Sequence, residues 1–287
     1  MSEHNQPKII LIIPYFGSWP SWINYFIRSC AQNPTITWLM YTDCGEPEYK
    51  ADNVIFKHCS FALYQQKVST KLGINFSPES PYKLCDLKPA LGYIHEKEIA
   101  GYDYWGFGDV DVIYGDIRAY LTDQMFRFNL ISFHEHRVSG HLCLLKNSVK
   151  MRHAFMQVRE WRKILADNTH RCFDEKHFNA LFIRHKNWPK KLRRIIYFPR
   201  YLMRTAYFKE SHSTNYTYVP WIDGSFDFPR YWHWDNGVLM AENTPGMTFP
   251  YLHFLHWKQN WKEGHVFEVS ADENHWVLSE KGFSSHK

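Results

Sequence analysis

The run Ile9-Ile10-Leu11-Ile12-Ile13, introduced by Lys8 and stopped by Pro14, limits the possible folds more than any other stretch of the chain. A short segment that is apolar on both of its faces cannot lie half in water. It reads as a buried strand of a parallel sheet covered on both sides. The residues that follow agree. Behind Pro20, apolar residues at Trp22, Ile23, Phe26, Ile27 and Cys30 keep the spacing of one buried helix face. Thr35 to Thr42 reads as a second strand, closed by the turn Asp43-Cys44-Gly45-Glu46-Pro47, and Asn53 to Lys57 as a third. Strand and helix in alternation predict right-handed βαβ units and an α/β fold.

Further along, a Ser/Pro loop at Ser77 to Pro81 leads into Tyr82-Lys83-Leu84-Cys85-Asp86-Leu87-Lys88-Pro89. Pro89 suits the first turn of a helix running to about Ile99, because its missing N–H costs nothing there. Tyr102 to Phe107 reads as an aromatic strand, and Phe128 to Phe133 and His141 to Leu145 as two more. Helices are expected over Ser148 to Leu165 and Asp174 to Arg184. Asn236-Gly237 between apolar flanks predicts a type I′ hairpin over Tyr231 to Leu239.

With 287 residues the chain allows one large α/β unit or two modest ones. Its net charge of +5 suits anionic ligands but is too mild for a dedicated nucleic-acid binder. Six cysteines without a C-x-x-C pair exclude a disulfide scaffold and a zinc ribbon, and read as reduced thiols. No stretch approaches the ~20 apolar residues of a membrane span, and no secretory h-region precedes Pro14. A cytoplasmic protein is expected. From Arg184 to Lys209 there are nine Lys/Arg and no Asp/Glu, interleaved with aromatics. This basic, aromatic insertion reads as a contact with an anionic membrane surface, the inner face of the inner membrane. Single-stranded nucleic acid is the rival partner, with no accompanying RNA-binding motif, and a solvated loop is the plainest alternative.

The sharpest chemical signal is Trp105-Gly106-Phe107-Gly108-Asp109-Val110-Asp111. A D-x-D after an apolar strand puts two carboxylates at the carboxyl end of a parallel sheet, where α/β ligand sites lie. Their hard oxygens suit Mg²⁺ or Mn²⁺. An isolated D-x-D is more often a capped turn; the aromatic strand in front and Lys83, Asp86 and Lys88 upstream favour a site. Lys83 and Asp86, three apart, share a helix face, with Lys88 to one side, so they read as a cradle for phosphate or sugar hydroxyls or as an ordinary ion pair. In Phe173-Asp174-Glu175-Lys176-His177-Phe178-Asn179 the acids read either as catalytic carboxylates or as a helix cap. His134-Glu135-His136 reads as ligands of a bimetal hydrolase, together with Asp109 and Asp111, or as the acceptor side of a transferase site.

Taken in order, Pro14-Tyr15-Phe16-Gly17, Tyr41-Thr42-Asp43, Pro81 to Pro89, Trp105 to Asp111, Ser139-Gly140-His141-Leu142, Trp234 to Gly237, and His253-Phe254 with Lys258 resemble bacterial polysaccharide glycosyltransferases. The resemblance spans about residues 8 to 260 and fades between Lys186 and Tyr218. It implies a single GT-A domain built on a Rossmann-type mixed sheet flanked by helices, with a nucleotide-sugar half over about 8–134, an acceptor and catalytic half over about 135–260, and a C-terminal extension folding over the active site. It also implies transfer of a hexose, galactose or glucose, from a UDP-sugar to a surface glycan or lipid-linked glycan. By the same resemblance, Pro14, Tyr15, Phe16, Gly17 and Asp43 would hold the nucleoside, with Lys83, Asp86, Lys88 and Lys258 around phosphates and sugar. Asp109, Asp111 and His253 would hold the metal, with His256 as the alternative histidine. Asp174 and Glu175 resemble the D-E-x-x-[LF]-N pattern of retaining GT-A enzymes such as the blood-group transferases, in which the Glu faces the reacting sugar. A sugar-binding protein without turnover is the non-enzymatic alternative.

Overall fold

A computed structural model of the chain describes residues 6–183, 192, 201–214, 219–261, 267 and 269–285. The apolar run forms strand β1 (Ile9–Pro14), buried on both faces. Ile10 and Ile12 enter one core, while Ile9, Leu11 and Ile13 enter another on the opposite side of the sheet. The period-two alternation therefore carries no polar side, as a doubly covered strand requires.

Helix α1 (Ile23–Ala31) packs Ile23, Phe26, Ile27 and Cys30 onto one face of the sheet. Strands β2 (Ile36–Thr42) and β3 (Val54–His58) follow, and then helix α2 (Phe61–Leu72) on the other face. Ser60 caps α2 by accepting from Leu63 N, and Gly73 ends it in the left-handed region at φ 63°. A ten-residue 3-10 segment, Pro81–Ala90, leads to the short helix α3 (Leu91–Ile94). The expected helix from Pro89 to Ile99 is thus mostly replaced by tighter turns. Pro89 lies inside the 3-10 segment, where it supplies no N–H for a longer α-helix.

Strand β4 (Tyr104–Gly108) lies parallel to β1, and the chain then passes Asp109 to Asp111 into β5 (Val112–Tyr114). Gly106 is required by close approach: a Cβ there would sit 2.4 Å from the Cys143 carbonyl oxygen. Strands β6 (Leu130–Ser132) and β7 (Leu142–Lys146) are added antiparallel. The expected single helix over Ser148 to Leu165 is broken into α4 (Val149–Arg152), a 3-10 turn at Ala154–Gln157 and α5 (Trp161–Ala166), with Glu160 at φ 58°. Packing explains the break. The Phe155 and Trp161 rings meet edge to face at 5.0 Å, whereas six residues along one helix would turn them about 120° apart. The expected helix from Asp174 is a π-helical turn, Phe173–Phe178, followed by the 3-10 turn Asn179–Leu181.

After α6 (Tyr201–Arg204), strand β8 (Ala206–Phe208) joins β6 in parallel. The end of the proposed basic insertion is therefore an edge strand; its cations from Arg184 to Arg200 lie outside the described residues. The main sheet has seven strands in the order β3-β2-β1-β4-β7-β6-β8 and is flanked by helices. The chain is a mixed α/β protein.

The hairpin forms as expected from β9 (Trp232–Asp235) and β10 (Val238–Ala241), with Asn236 and Gly237 at φ 45° and 88°. Strand β11 (Tyr251–His253) then returns to pair antiparallel with β5, and helix α7 (Trp257–Trp261) follows it. Strands β12 (His275–Ser279) and β13 (Gly282–Ser284) complete a second sheet, β10-β9-β12-β13. Trp221, Trp232 and Trp234 are buried in a third core, where Trp234 stacks on Trp276 at 3.9 Å. Among the described residues no helix is long and apolar enough to cross a membrane.

Candidate metal and carboxylate site

Strand β1 lies between β2 and β4, so the strand order reverses there, and the crevice at the carboxyl ends of β1 and β4 is a topological switch point. Two sequence-predicted segments meet at it, Pro14 to Gly17 after β1 and Gly108 to Asp111 after β4. The antiparallel pair β5–β11 carries a third partner in from far along the chain. Phe254 N donates to the Asp111 carbonyl at 3.2 Å, which sets His253 beside Asp111. One ligand atom from each of Asp109, Asp111 and His253 lies within 4.8 Å of the other two, and among the described residues this is the single such group. His256 is exposed in the turn beyond β11 and takes no part in it. Two carboxylates and an imidazole, partly withdrawn from water, are a donor set that fits Mn²⁺ or Mg²⁺.

Two lysines stand against these carboxylates. Lys258 Nζ lies 2.5 Å from Asp111 Oδ2, and His253 Nε2 lies 3.5 Å from the same oxygen. Burial pushes the Asp111 carboxyl up, but His253 and Lys258 together outweigh it and hold the group well below the usual carboxylate range. Lys88 Nζ donates to Asp109 Oδ1 at 2.6 Å. Burial alone would lower its pKa; the charges of Asp109, Cys85 and Asp174 reverse that and raise it. The His141 ring stacks on His253 at 4.3 Å, with its Nε2 2.9 Å from Tyr251 Oη. Burial, then the neighbouring His253, holds the His141 imidazole well below its ordinary value. It is neutral at neutral pH.

The loop after β1 is pinned to the loop after β2. Gly17 N donates to Asp43 Oδ1 at 2.7 Å, Tyr15 N to the Tyr41 carbonyl at 2.8 Å, and Trp19 Nε1 to the Gly45 carbonyl at 3.0 Å. Tyr15 stacks on Trp19 at 5.3 Å; burial raises its phenol pKa, and Cys44 and Asp111 add to the rise. Pro14 closes β1, half-buried. Phe16 corrects the expectation of a nucleoside contact. It is 6% exposed and packs on Phe61 and Tyr64, because the alternation beyond β1 turns it into the core under α2.

Lys83 and Asp86 are also corrected, from an open cradle to an internal tie. Lys83 is 1% exposed, and its ammonium donates to Asp86 Oδ2 at 2.8 Å and to the carbonyls of Ile164 and Thr169 at 2.9 and 2.8 Å. All three of its donors are used within the protein. Asp86 accepts from Arg171 N and from Phe173 N, each at 2.8 Å, and so fixes the start of the Phe173–Phe178 turn.

That turn presents Asp174 and Glu175. Asp174 does not cap a helix, since Cys172 precedes the turn at φ 51°. Its Oδ1 accepts from Glu175 N at 2.9 Å. Burial lifts its pKa to about 7, with Lys88 opposing and Glu175 adding to the rise. Glu175 Oε2 pairs with Arg137 Nη1 at 3.2 Å. A Cβ on Gly140 would lie 3.1 Å from Asp174 Oδ2, 3.3 Å from Lys88 Nζ and 3.8 Å from Glu175 Oε1. Gly140 therefore leaves open the gap that these charged atoms border. Asn179 Oδ1 accepts from Val138 N at 2.8 Å and holds the 137–140 loop to the turn.

His134 Nδ1 lies 3.4 Å from Glu210 Oε2 and accepts from His136 N at 3.1 Å. Neither histidine belongs to a three-ligand group among the described residues. Arg137 and Tyr251 escape a reading of the sequence, because only the folded chain brings them to the carboxylates. Gly140 lies within a recognisable motif that by itself assigns it no part. Two cavities, of about 470 Å³ beside Asn24 and Asp272 and about 530 Å³ beside Lys67 and Lys97, open elsewhere and contain none of these side chains.

No curated protein matches the chain. The model of a family of unknown function, DUF6625, matches residues 11–286, and the chain belongs to that family.

Proposed function

We propose that the protein is a metal-dependent glycosyltransferase of GT-A type, moving a hexose from a UDP-sugar to a bacterial surface glycan. The observation that carries this reading is the meeting of Asp109, Asp111 and His253 at a topological switch point, with Lys88 and Lys258 against the two carboxylates. Asp109, Asp111 and His253 would hold Mn²⁺ or Mg²⁺. When bound, such an ion supplies positive charge to a departing diphosphate. Tyr15 and the Asp43-pinned loop would flank the nucleoside. Lys258 and Lys88 would turn from the carboxylates towards phosphate and sugar oxygens, and preorganised charge of this kind is often the largest catalytic contribution. Glu175, oriented by Arg137, would face the reacting sugar carbon, and Asp174 would hold or release a proton near neutral pH. The basic run of residues 184–209 would rest on the anionic inner leaflet, near lipid-linked acceptors. A bimetal hydrolase needs a second ligand group, and the described residues contain no other.

The test is release of UDP from UDP-galactose and UDP-glucose with Mn²⁺ and with EDTA. Asp111→Asn, which keeps shape and removes charge, is expected to lower Mn²⁺-stimulated release by about a hundredfold or more with the far-ultraviolet dichroism unchanged. Full activity in EDTA would contradict the reading.

A further inference from the structure

Tyr82 is 66% exposed, yet it is the neighbour of the buried Lys83, whose partner Asp86 accepts from Phe173 N at the start of the turn that carries Glu175. Burial foremost raises its phenol pKa, and Cys85 adds to the rise. The ring is backed by His170, edge to face at 4.7 Å and 63°. His170 is itself fixed, with Nε2 3.4 Å from Oδ1 of the fully buried Asp86. Burial foremost keeps its imidazole below the ordinary value, so the backing is neutral at neutral pH. Tyr82 N donates to Ser80 Oγ at 3.3 Å, which fixes the backbone under the ring. Single exposed aromatics are common and usually mean nothing. This one is backed by a ring that a buried carboxylate holds, beside the turn that presents Glu175.

We propose that Tyr82, supported by His170, is the platform on which a pyranose ring of the acceptor glycan stacks, an inference that rests on the glycosyltransferase reading above. A pyranose has one face of C–H groups and a rim of hydroxyls. The aromatic face takes the C–H groups, and the rim is left free to reach Glu175 and Arg137. A ring held in place before binding loses little side-chain freedom when it is covered. The exposed position beside the Glu175 turn favours the acceptor over the donor sugar, which would lie against Asp109 and Lys88.

The experiment uses the full chain and the glycosides methyl β-galactoside, methyl α-glucoside, lactose and maltose, without donor. Saturation-transfer NMR on the wild type is expected to mark the ring C–H protons of at least one of them. Tyr82→Ala should lose that signal, while Tyr82→Phe and Tyr82→Trp keep it. With UDP-galactose or UDP-glucose as donor, Tyr82→Ala should raise the KM of the bound glycoside about tenfold, the effect of roughly 1.4 kcal/mol, with kcat within about twofold. Absence of a saturation-transfer signal from all four glycosides on the wild type, an unchanged signal in Tyr82→Ala, or a loss in Tyr82→Phe as large as in Tyr82→Ala would overturn the platform. Titration of UDP with Mn²⁺ on the same samples separates the two readings: sugar binding without UDP binding refutes the transferase and leaves the platform standing.

Discussion

The carboxyl of Asp174 sets up an unusual dependence of stability on pH. Its pKa rises from the ordinary 3.8 to about 7, because burial penalises the charged form by more than Lys88 compensates. A carboxyl that binds its proton more tightly when folded costs nothing below about pH 4, where both states are protonated. Between about 4 and 7 the unfolded chain ionises first and draws the equilibrium towards unfolding. Above about 7 the whole cost is present, roughly 4 kcal/mol at about 1.4 kcal/mol for each pH unit of separation. Asp174→Asn keeps the shape and removes the titration. Urea unfolding of wild type and variant, in EDTA, at about pH 5 and pH 8.5 isolates the effect as a difference of differences. The variant should gain about 2–3 kcal/mol on the wild type between the two conditions. Parallel pH dependences would mean that Asp174 is ionised throughout, and the proton assigned to it near neutral pH would not exist.

Removing the buried partner of Asp86 tests the internal tie. Lys83→Met should cost about 3–5 kcal/mol in urea unfolding, because it leaves an uncompensated carboxylate at 0% exposure, and a loss under about 1 kcal/mol would show that the pair holds little. Glu175→Gln should lower turnover by about a hundredfold with UDP affinity within about twofold, since a charge that stabilises the reacting sugar acts mainly in the transition state. Normal turnover in that variant would move the catalytic carboxylate to Asp174.

Parts of this arrangement are legible in the sequence for local reasons. The apolar run of β1 needs cover on both faces wherever it lies, and Asn236-Gly237 can adopt its two positive φ angles without help from the rest of the chain. The D-x-D follows β4 directly, so its place at a strand end follows from chain order alone. What is hidden depends on contacts between distant residues. Nothing near Phe16 says that its ring will find Phe61 and Tyr64, and nothing near Lys83 says that the carbonyls of Ile164 and Thr169 will take its protons. The broken helix after Ser148 has continuous helical periodicity in sequence and is interrupted by the packing of Phe155 on Trp161. His253 is recognisable only through an ordered set of motifs, because its partner Asp111 lies more than a hundred residues earlier and is reached through the β5–β11 pair.

The most direct test is isothermal titration of UDP into the purified chain, with Mn²⁺ and then with EDTA. Binding that needs Mn²⁺, and that is lost in His253→Ala as well as in Asp111→Asn, is the expected result. UDP that fails to bind in either condition, or binds equally well in EDTA, would contradict a metal-held nucleoside diphosphate at Asp109, Asp111 and His253.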